Sequence, residues 1–345
     1  MNSSTLAEIV PVSGATTESL SSLSHYLRPL RPILGDASVT ELCINRPGEA
    51  FIETVTGWQR RALPFATYDW CRHLARLIAT ATQQRVTPEQ PLLTAALPSG
   101  ERVQIAIPPA TAPGTVSITI RVPSGIVRDL AELSDTGVFA QCRAADAVEG
   151  PWAAALKATY EAGEYREFLA LAVKAKLNIL VSGPTGSGKT TLTKGLILEI
   201  PPEERLITLE DAAELSLARH PNSVRLFYSK DGQGTAKVTP RHLLESCLRM
   251  RPDRILLAEL RSDEAFDYLR NVNSGHPGSI TSIHAGSPAL ALEQLTLLIQ
   301  QSPAGRSLER RDIHGLLHSL IDVIVQCGLD GHRRAVKAVW YGALR

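Results

Sequence analysis

The chain has 345 residues, 44% of them hydrophobic and 21% charged, with a net charge of +1. That length exceeds one simple core and points to two domains, while the near-neutral balance excludes a global basic field for gripping nucleic acid. Five cysteines, Cys43, Cys71, Cys142, Cys247 and Cys327, stand far apart without a C-x-x-C pair, which excludes a disulfide framework or zinc module and fits reduced thiols.

No apolar run approaches the ~20 residues that a membrane helix needs, and the start of the chain lacks a basic-then-apolar signal pattern. The expectation is a cytoplasmic protein that reaches a membrane only through partners. Residues 1–20, rich in Ser and Thr, read as a disordered tail. An α+β domain is expected over 21–124. It begins with a helical pattern from Ser21 to Leu34. A hairpin follows over Val39–Thr54, turning at Asn45-Arg46-Pro47-Gly48. Next comes an amphipathic helix over Asp69–Thr82, then strands over Arg102–Ile107 and Thr115–Val122. Residues 125–150 read as a flexible connector with a short helix over Val127–Leu133, bounded by Gly137, Gly150 and Pro151. From 151 to 345 strands and helices alternate. The strands are Asn178–Ser182, Arg205–Leu209, Ser223–Tyr228, Arg254–Glu259 and Ser279–His284. Such alternation predicts an α/β domain with a mostly parallel sheet. Thr239-Pro240 and Ser287-Pro288 mark two helix starts, and a late hairpin turns at Asp330-Gly331.

Chemistry enters at Gly183-Pro184-Thr185-Gly186-Ser187-Gly188-Lys189-Thr190-Thr191. This is a complete phosphate-binding loop between an apolar strand, Leu177–Val181, and a helical pattern, Thr191–Ile200. The glycines let successive N–H groups converge on a phosphate, and the helix N-terminus adds positive potential. Lys189 is expected on the β- and γ-phosphates of ATP, and the Thr190 hydroxyl on Mg²⁺.

Three further motifs say which kind of P-loop enzyme this is. Arg254–Glu259 is an apolar strand ending in a carboxylate that serves a metal or the attacking water. Glu210-Asp211 ends a second strand, so Glu210 and Glu259 divide the metal and base roles between them, the order left open. Glu210, Asp211 and Glu214 also read as acids placed at a helix start. His284 ends a third strand; the residues alone leave open a γ-phosphate sensor or a core histidine. His314 and His318 lack a third ligand and read as packing. No N-K-x-D sequence supports a GTPase.

The combination of GPTGSGKTT, ITLEDAAEL (207–215), RMRPDRILLAELR (249–261) and GHPGSITSIHA (275–285) resembles the type IV secretion traffic ATPases. The earlier stretches SVTELCINRPGEAFIE (38–53) and GERVQIAIPPA through TVSITIRVPS (100–124) resemble that family's first domain, so the likeness runs over residues 20–342. It implies a RecA-like ATPase domain in a homo-hexamer, using ATP and Mg²⁺ and working with inner-membrane channel and coupling ATPase proteins. It also implies that Arg102 and Arg121 reach the nucleotide phosphates; without it they read as surface or ion-pair arginines. Glu259 matches the Walker B acid, with Ala258 replacing the usual glycine. Glu210 matches the acidic box and His284 the histidine box. Type II secretion or type IV pilus ATPases are the alternative, weakened by the missing cysteine module. A non-catalytic nucleotide-dependent scaffold and a DNA-gripping translocase are the rivals of other classes. The charge balance gives the translocase no support beyond local arginines such as Arg306, Arg310 and Arg311.

Overall fold

The computed structural model describes residues 17–123, 128–140, 142, 151–229, 234–262 and 264–344. Most of the expected tail, at 1–16, and much of the expected connector, at 124–127, 141 and 143–150, lie outside the described residues.

The first part is a helical layer on an antiparallel sheet. The helices are α1 (Thr17–Leu27), α2 (Arg31–Leu34) and α3 (Tyr68–Ala81). The strands are β1 (Val39–Ile44), β2 (Gly48–Thr54), β3 (Gly57–Leu63), β4 (Leu92–Ala96), β5 (Arg102–Ala106) and β6 (Ser117–Arg121), in the order β3-β2-β1-β6-β5-β4. The apolar stripe of α3, with Leu74 and Ile78, packs with Leu23 and Leu27 of α1 over Leu42, Ile105 and Ile118. Thr67 caps α3 by accepting from the Trp70 N–H. The edge strands β3 and β4 are additions to the sequence reading. β3 (GWQRRAL) buries only Leu63, and β4 (LLTAA) alternates with small residues, so neither carries a strong apolar signal.

After α4 (Leu130–Asp135), the helical run expected over Trp152–Ala175 proves to be two helices, α5 (Ala153–Glu161) and α6 (Tyr165–Lys174). Gly163 breaks it with φ +73°. Then follow β7 (Ile179–Ser182), α7 (Lys189–Leu198), β8 (Leu206–Glu210), β9 (Ser223–Phe227), α8 (Pro240–Cys247), β10 (Arg254–Leu257), α9 (Glu264–Asn273) and β11 (Ile280–Ile283). The chain closes with α10 (Pro288–Gln301), α11 (Arg310–Leu320), β12 (Val323–Asp330) and β13 (Arg333–Tyr341). Thr239 and Ser287 cap α8 and α10, each with proline in the first turn.

Strands β10-β8-β9 form one parallel sheet, and β11-β7-β12-β13 form a second that is parallel except for its last hairpin. The two meet where β10 runs beside β11: the Leu260 N–H donates to Ser282 O, and the Ser279 hydroxyl to Ile255 O. β7, β8, β10 and β11 are buried along their whole length, as expected of parallel strands covered on both faces. Their carboxyl ends lie together at one edge, where such sheets place their ligands.

The first part docks at the opposite, amino edge and along the outer strand β9. Arg205, fully buried just before β8, donates from Nη1 to Asn45 Oδ1 at 2.7 Å and Asn222 Oδ1 at 2.5 Å, and from Nε to Met250 O. Arg251 pairs with Glu53 through Nε and Nη2. Two backbone bonds cross as well, Phe227 N–H to Ala110 O and Lys237 N–H to Glu89 O. A buried guanidinium needs such partners, because leaving it unpaired is costly.

Candidate active site

The phosphate loop leaves β7 at Ser182 and enters α7 at Lys189, the strand–loop–helix setting that the motif requires. Gly183 admits no side chain, since a Cβ there would lie 2.6 Å from Ser187 Oγ and 2.7 Å from Cys327 O. Gly188 holds φ +95° and turns the chain into the helix. The loop encloses a cavity of about 310 Å³, lined also by Asp211, Glu214, Glu259, Arg261, His284 and Arg334.

Lys189 is largely buried, and its Nζ donates to Gly183 O at 2.9 Å and Pro184 O at 3.3 Å. His284 Nδ1 lies 3.1 Å from the same ammonium, and His284 Nε2 lies 2.6 Å from Glu259 Oε1. The imidazole therefore bridges the loop lysine and the strand-end acid. Burial pushes the lysine down, with Glu259 acting against it. Burial, then Lys189 and Arg261, push His284 down as well, so it stands neutral near pH 7. Glu259 is pushed up to about 7, chiefly by burial and further by Asp211, Glu214 and Glu264, while Lys189 opposes the shift. A carboxyl poised there can take or give a proton near neutral pH.

Glu259 also ion-pairs with Arg261, and Arg261 Nη1 reaches Asp211 Oδ2 at 3.5 Å. Buried Glu259 Oε1 has no partner at hydrogen-bonding geometry. With the Thr190 hydroxyl it offers hard oxygen ligands, which fits Mg²⁺. Among the described residues no cluster of three or more His, Cys, Asp or Glu could cage a metal by itself. A cation here would thus take the rest of its shell from phosphate oxygens and water.

Glu210 departs from the expectation. It ends β8 fully buried, and its carboxylate accepts from the Thr208 hydroxyl, from Arg225 Nε and Nη2, and from the N–H groups of Glu214 and Leu215. With these five donors the carboxylate holds the turn and pairs with Arg225 across the strands. No helix follows either: residues 211–218 are turn and coil. That turn brings Glu214 to the loop, where it accepts from Thr190 Oγ1 at 3.3 Å. Glu214 was legible as one of three acids, but strand-end position favoured Glu210; the turn between them decides.

Replacing Glu210 by alanine is therefore expected to destabilise the fold by about 3 kcal/mol, as breaking one side of a buried pair does. A lowered thermal midpoint with unchanged nucleotide affinity would show this. Glu214→Ala is expected to do the reverse, keeping the midpoint and weakening Mg²⁺-dependent binding.

Arg102 and Arg121 are not brought to the loop. They sit directly opposite one another on β5 and β6. With Glu41, Arg249, Arg251 and His276 they line a separate cavity of about 730 Å³ between the two parts of the chain. Its second wall precedes β10 and β11, at the amino ends of the parallel strands, whereas the phosphate loop lies at the carboxyl ends. Strands of this length at ~3.3 Å per residue separate the two by roughly 10 Å or more.

Comparison with known proteins agrees with this site. The family model described as "Type II/IV secretion system protein" matches residues 25–327. The chain is 44% identical to the type IV secretion system protein VirB11 of Bartonella quintana, covering 94% of each chain. It is 45% identical to VirB11 of Brucella suis, covering 96% of this chain and 93% of the relative. The crystal structure of the Brucella suis VirB11 ATPase in complex with sulphate superposes with a TM-score of 0.90 at 44% identity, over 95% of this chain and 96% of that one. Phosphate loop, poised Walker B acid and a likeness spanning nearly the whole chain lead to one conclusion: this chain belongs to the VirB11 family of type IV secretion ATPases.

Proposed function

We propose that this chain is the ATP-driven motor of a bacterial type IV secretion machine, and that it works as a homo-hexamer in which each subunit supplies Arg102 and Arg121 to its neighbour's phosphate loop. The observation that supports the second part is the split site. Lys189, Thr190, Glu214, Glu259 and His284 gather in one cavity, while the arginine pair is presented at another. Two arginines directly opposite on a sheet repel one another. Among the described residues the acid ion-paired with them is Glu41, 3.7 Å from Arg121 Nε, and burial pushes its carboxyl up to about 7. Such a pair is held ready for an anion from outside the chain. A triphosphate at a neighbour's loop is that anion, and arginine there offsets charge developing during phosphoryl transfer.

In this reading Lys189 leaves the loop carbonyls for the β- and γ-phosphates. Thr190 and Glu259 would hold Mg²⁺, with Glu214 behind Thr190; the metal's contribution is to neutralise charge on the phosphate oxygens. Glu259, once ionised, orients or deprotonates the attacking water, and His284 shifts with the phosphate that Lys189 gains or loses. Movement between the two parts of the chain then turns each cycle into work. The work is pilus assembly or substrate movement, with partners among the inner-membrane channel and coupling ATPase proteins. No helix among the described residues is long and apolar enough to cross a membrane, so attachment through those partners at the cytoplasmic face is part of the proposal. Arg310 and Arg311 pair with Glu293, Glu309 and Asp312, which leaves direct DNA gripping without support.

Light scattering with Mg²⁺ and a non-hydrolysable ATP analogue tests the ring. Six protomers of 37.3 kDa give about 224 kDa. A species that stays at 37.3 kDa at high concentration contradicts it.

A further inference from the structure

We propose that Arg334 is a nucleotide ligand supplied in cis, binding the α- and β-phosphates from the β12–β13 hairpin. The inference rests on the nucleotide site described above and adds a residue that no motif contains.

The topology places it. β12 pairs with β7 as far as Gln326 opposite Ser182, and then runs on past the strand end beside the loop. β13 returns antiparallel, with Arg334 opposite Leu329. The Arg334 stem crosses the loop at Gly188, where its Cδ lies 3.0 Å and its Cβ 3.4 Å from the place a glycine Cβ would take. Its side chain lines the same cavity as residues 184–191.

The charges at that cavity explain what it awaits. Lys189 is held by two loop carbonyls and approached by His284, and Arg261 by Glu259 and Asp211. The Arg334 guanidinium makes no hydrogen bond or ion pair among the described residues, although it stands at the amino end of α7. A cation at the positive end of a helix is repelled unless an anion lies between them. A nucleotide phosphate is such an anion, and the planar fork of arginine matches its oxygens in a bidentate way. Glu259 and His284 occupy the γ end through Lys189. Arg334 instead lies over the glycine whose loop cradles the α- and β-phosphates.

The test is calorimetric titration of the full-length protein with Mg·ATP and Mg·ADP, for wild type, Arg334→Ala and Arg334→Gln, with ATP turnover measured beside it. Gln keeps a polar stem on Gly188 and guards against a folding artefact, and Arg334 is exposed in any case. We expect Arg334→Ala to weaken ATP and ADP by the same factor, about tenfold or more, as losing a charged hydrogen bond does. KM should rise with it, and kcat should stay within about threefold because both states lose the contact equally. Arg334→Gln should fall between, and the salt dependence of binding should flatten. Affinities within about twofold of wild type for both nucleotides would overturn the assignment. So would a loss confined to ATP, which would place the contact on the γ-phosphate. If wild type binds neither nucleotide, the site itself fails, an outcome distinct from an indifferent Arg334.

Discussion

Glu259→Gln is expected to lower ATP turnover by about a hundredfold or more while ATP binding stays within a few-fold. A positioned general base contributes a factor of that size, and glutamine keeps the shape while losing the proton acceptor. Three features of the site make the prediction specific. Burial and three neighbouring acids push the Glu259 carboxyl up to about 7. Its Oε1 is buried with His284 Nε2 2.6 Å away. Its position two residues past β10 aims it at the phosphate cavity. The pH profile carries the same signature. The ionised form is the minority below pH 7 and dominates above it, so wild-type kcat/KM should climb as pH rises through 7. The glutamine variant should lose that limb. Stability runs the other way. A carboxyl whose folded pKa is raised stabilises only at low pH, and that contribution fades as pH rises through the folded value. The variant should therefore melt above wild type at pH 8, which separates lost catalysis from lost folding. Unchanged turnover would favour the nucleotide-dependent scaffold.

Lys189→Ala is expected to remove both binding and turnover, with ATP affinity falling at least tenfold and kcat/KM at least a hundredfold. Its ammonium is the buried cation of the loop, and among the described residues no other side chain reaches Gly183 O and Pro184 O together. The contrast with Arg334→Ala is informative. Lysine loss should depress kcat as well as affinity, because the β,γ-bridge region gains charge only in the transition state. Titration of ATP and ADP against the two variants checks this directly. An ATP affinity unchanged in Lys189→Ala would mean that nucleotide binds elsewhere.

The residues differ in how far the chain alone gives them away. Gly183 to Thr191 is legible because a phosphate cradle leaves almost no freedom in type or spacing. Glu259 and His284 are legible because each closes an apolar strand, and parallel strands gather their ends at one edge. Glu210 misleads for the same reason: it too ends a strand, but Arg225 on the adjacent strand captures it, a cross-strand pairing that no local pattern announces. Arg334 is silent because its partner is a glycine more than a hundred positions away and its strand reads as an ordinary hairpin. β3 is silent because an exposed edge strand buries too little to alternate, and β4 because its alternation is carried by small residues. The break at Gly163 was available as a glycine inside a helical pattern, but such glycines are tolerated often enough to pass unmarked. Arg102 and Arg121 are placed on facing strands by local patterning, while the end of the sheet they reach is set by the buried Arg205 network and the Arg251–Glu53 pair, both formed at long range.

The central claim is that one subunit's arginines complete the next subunit's site. The most direct measurement mixes two inactive proteins: Lys189→Ala, whose arginines are intact, and Arg102→Ala with Arg121→Ala, whose loop is intact. ATP turnover is followed after equal mixing under conditions that allow subunit exchange. If the arginines act across the interface, random rings contain about a quarter of sites with both halves intact, and activity returns to about that share of wild type. If the arginines serve their own chain's loop, no complete site can form and the mixture stays as inactive as its components.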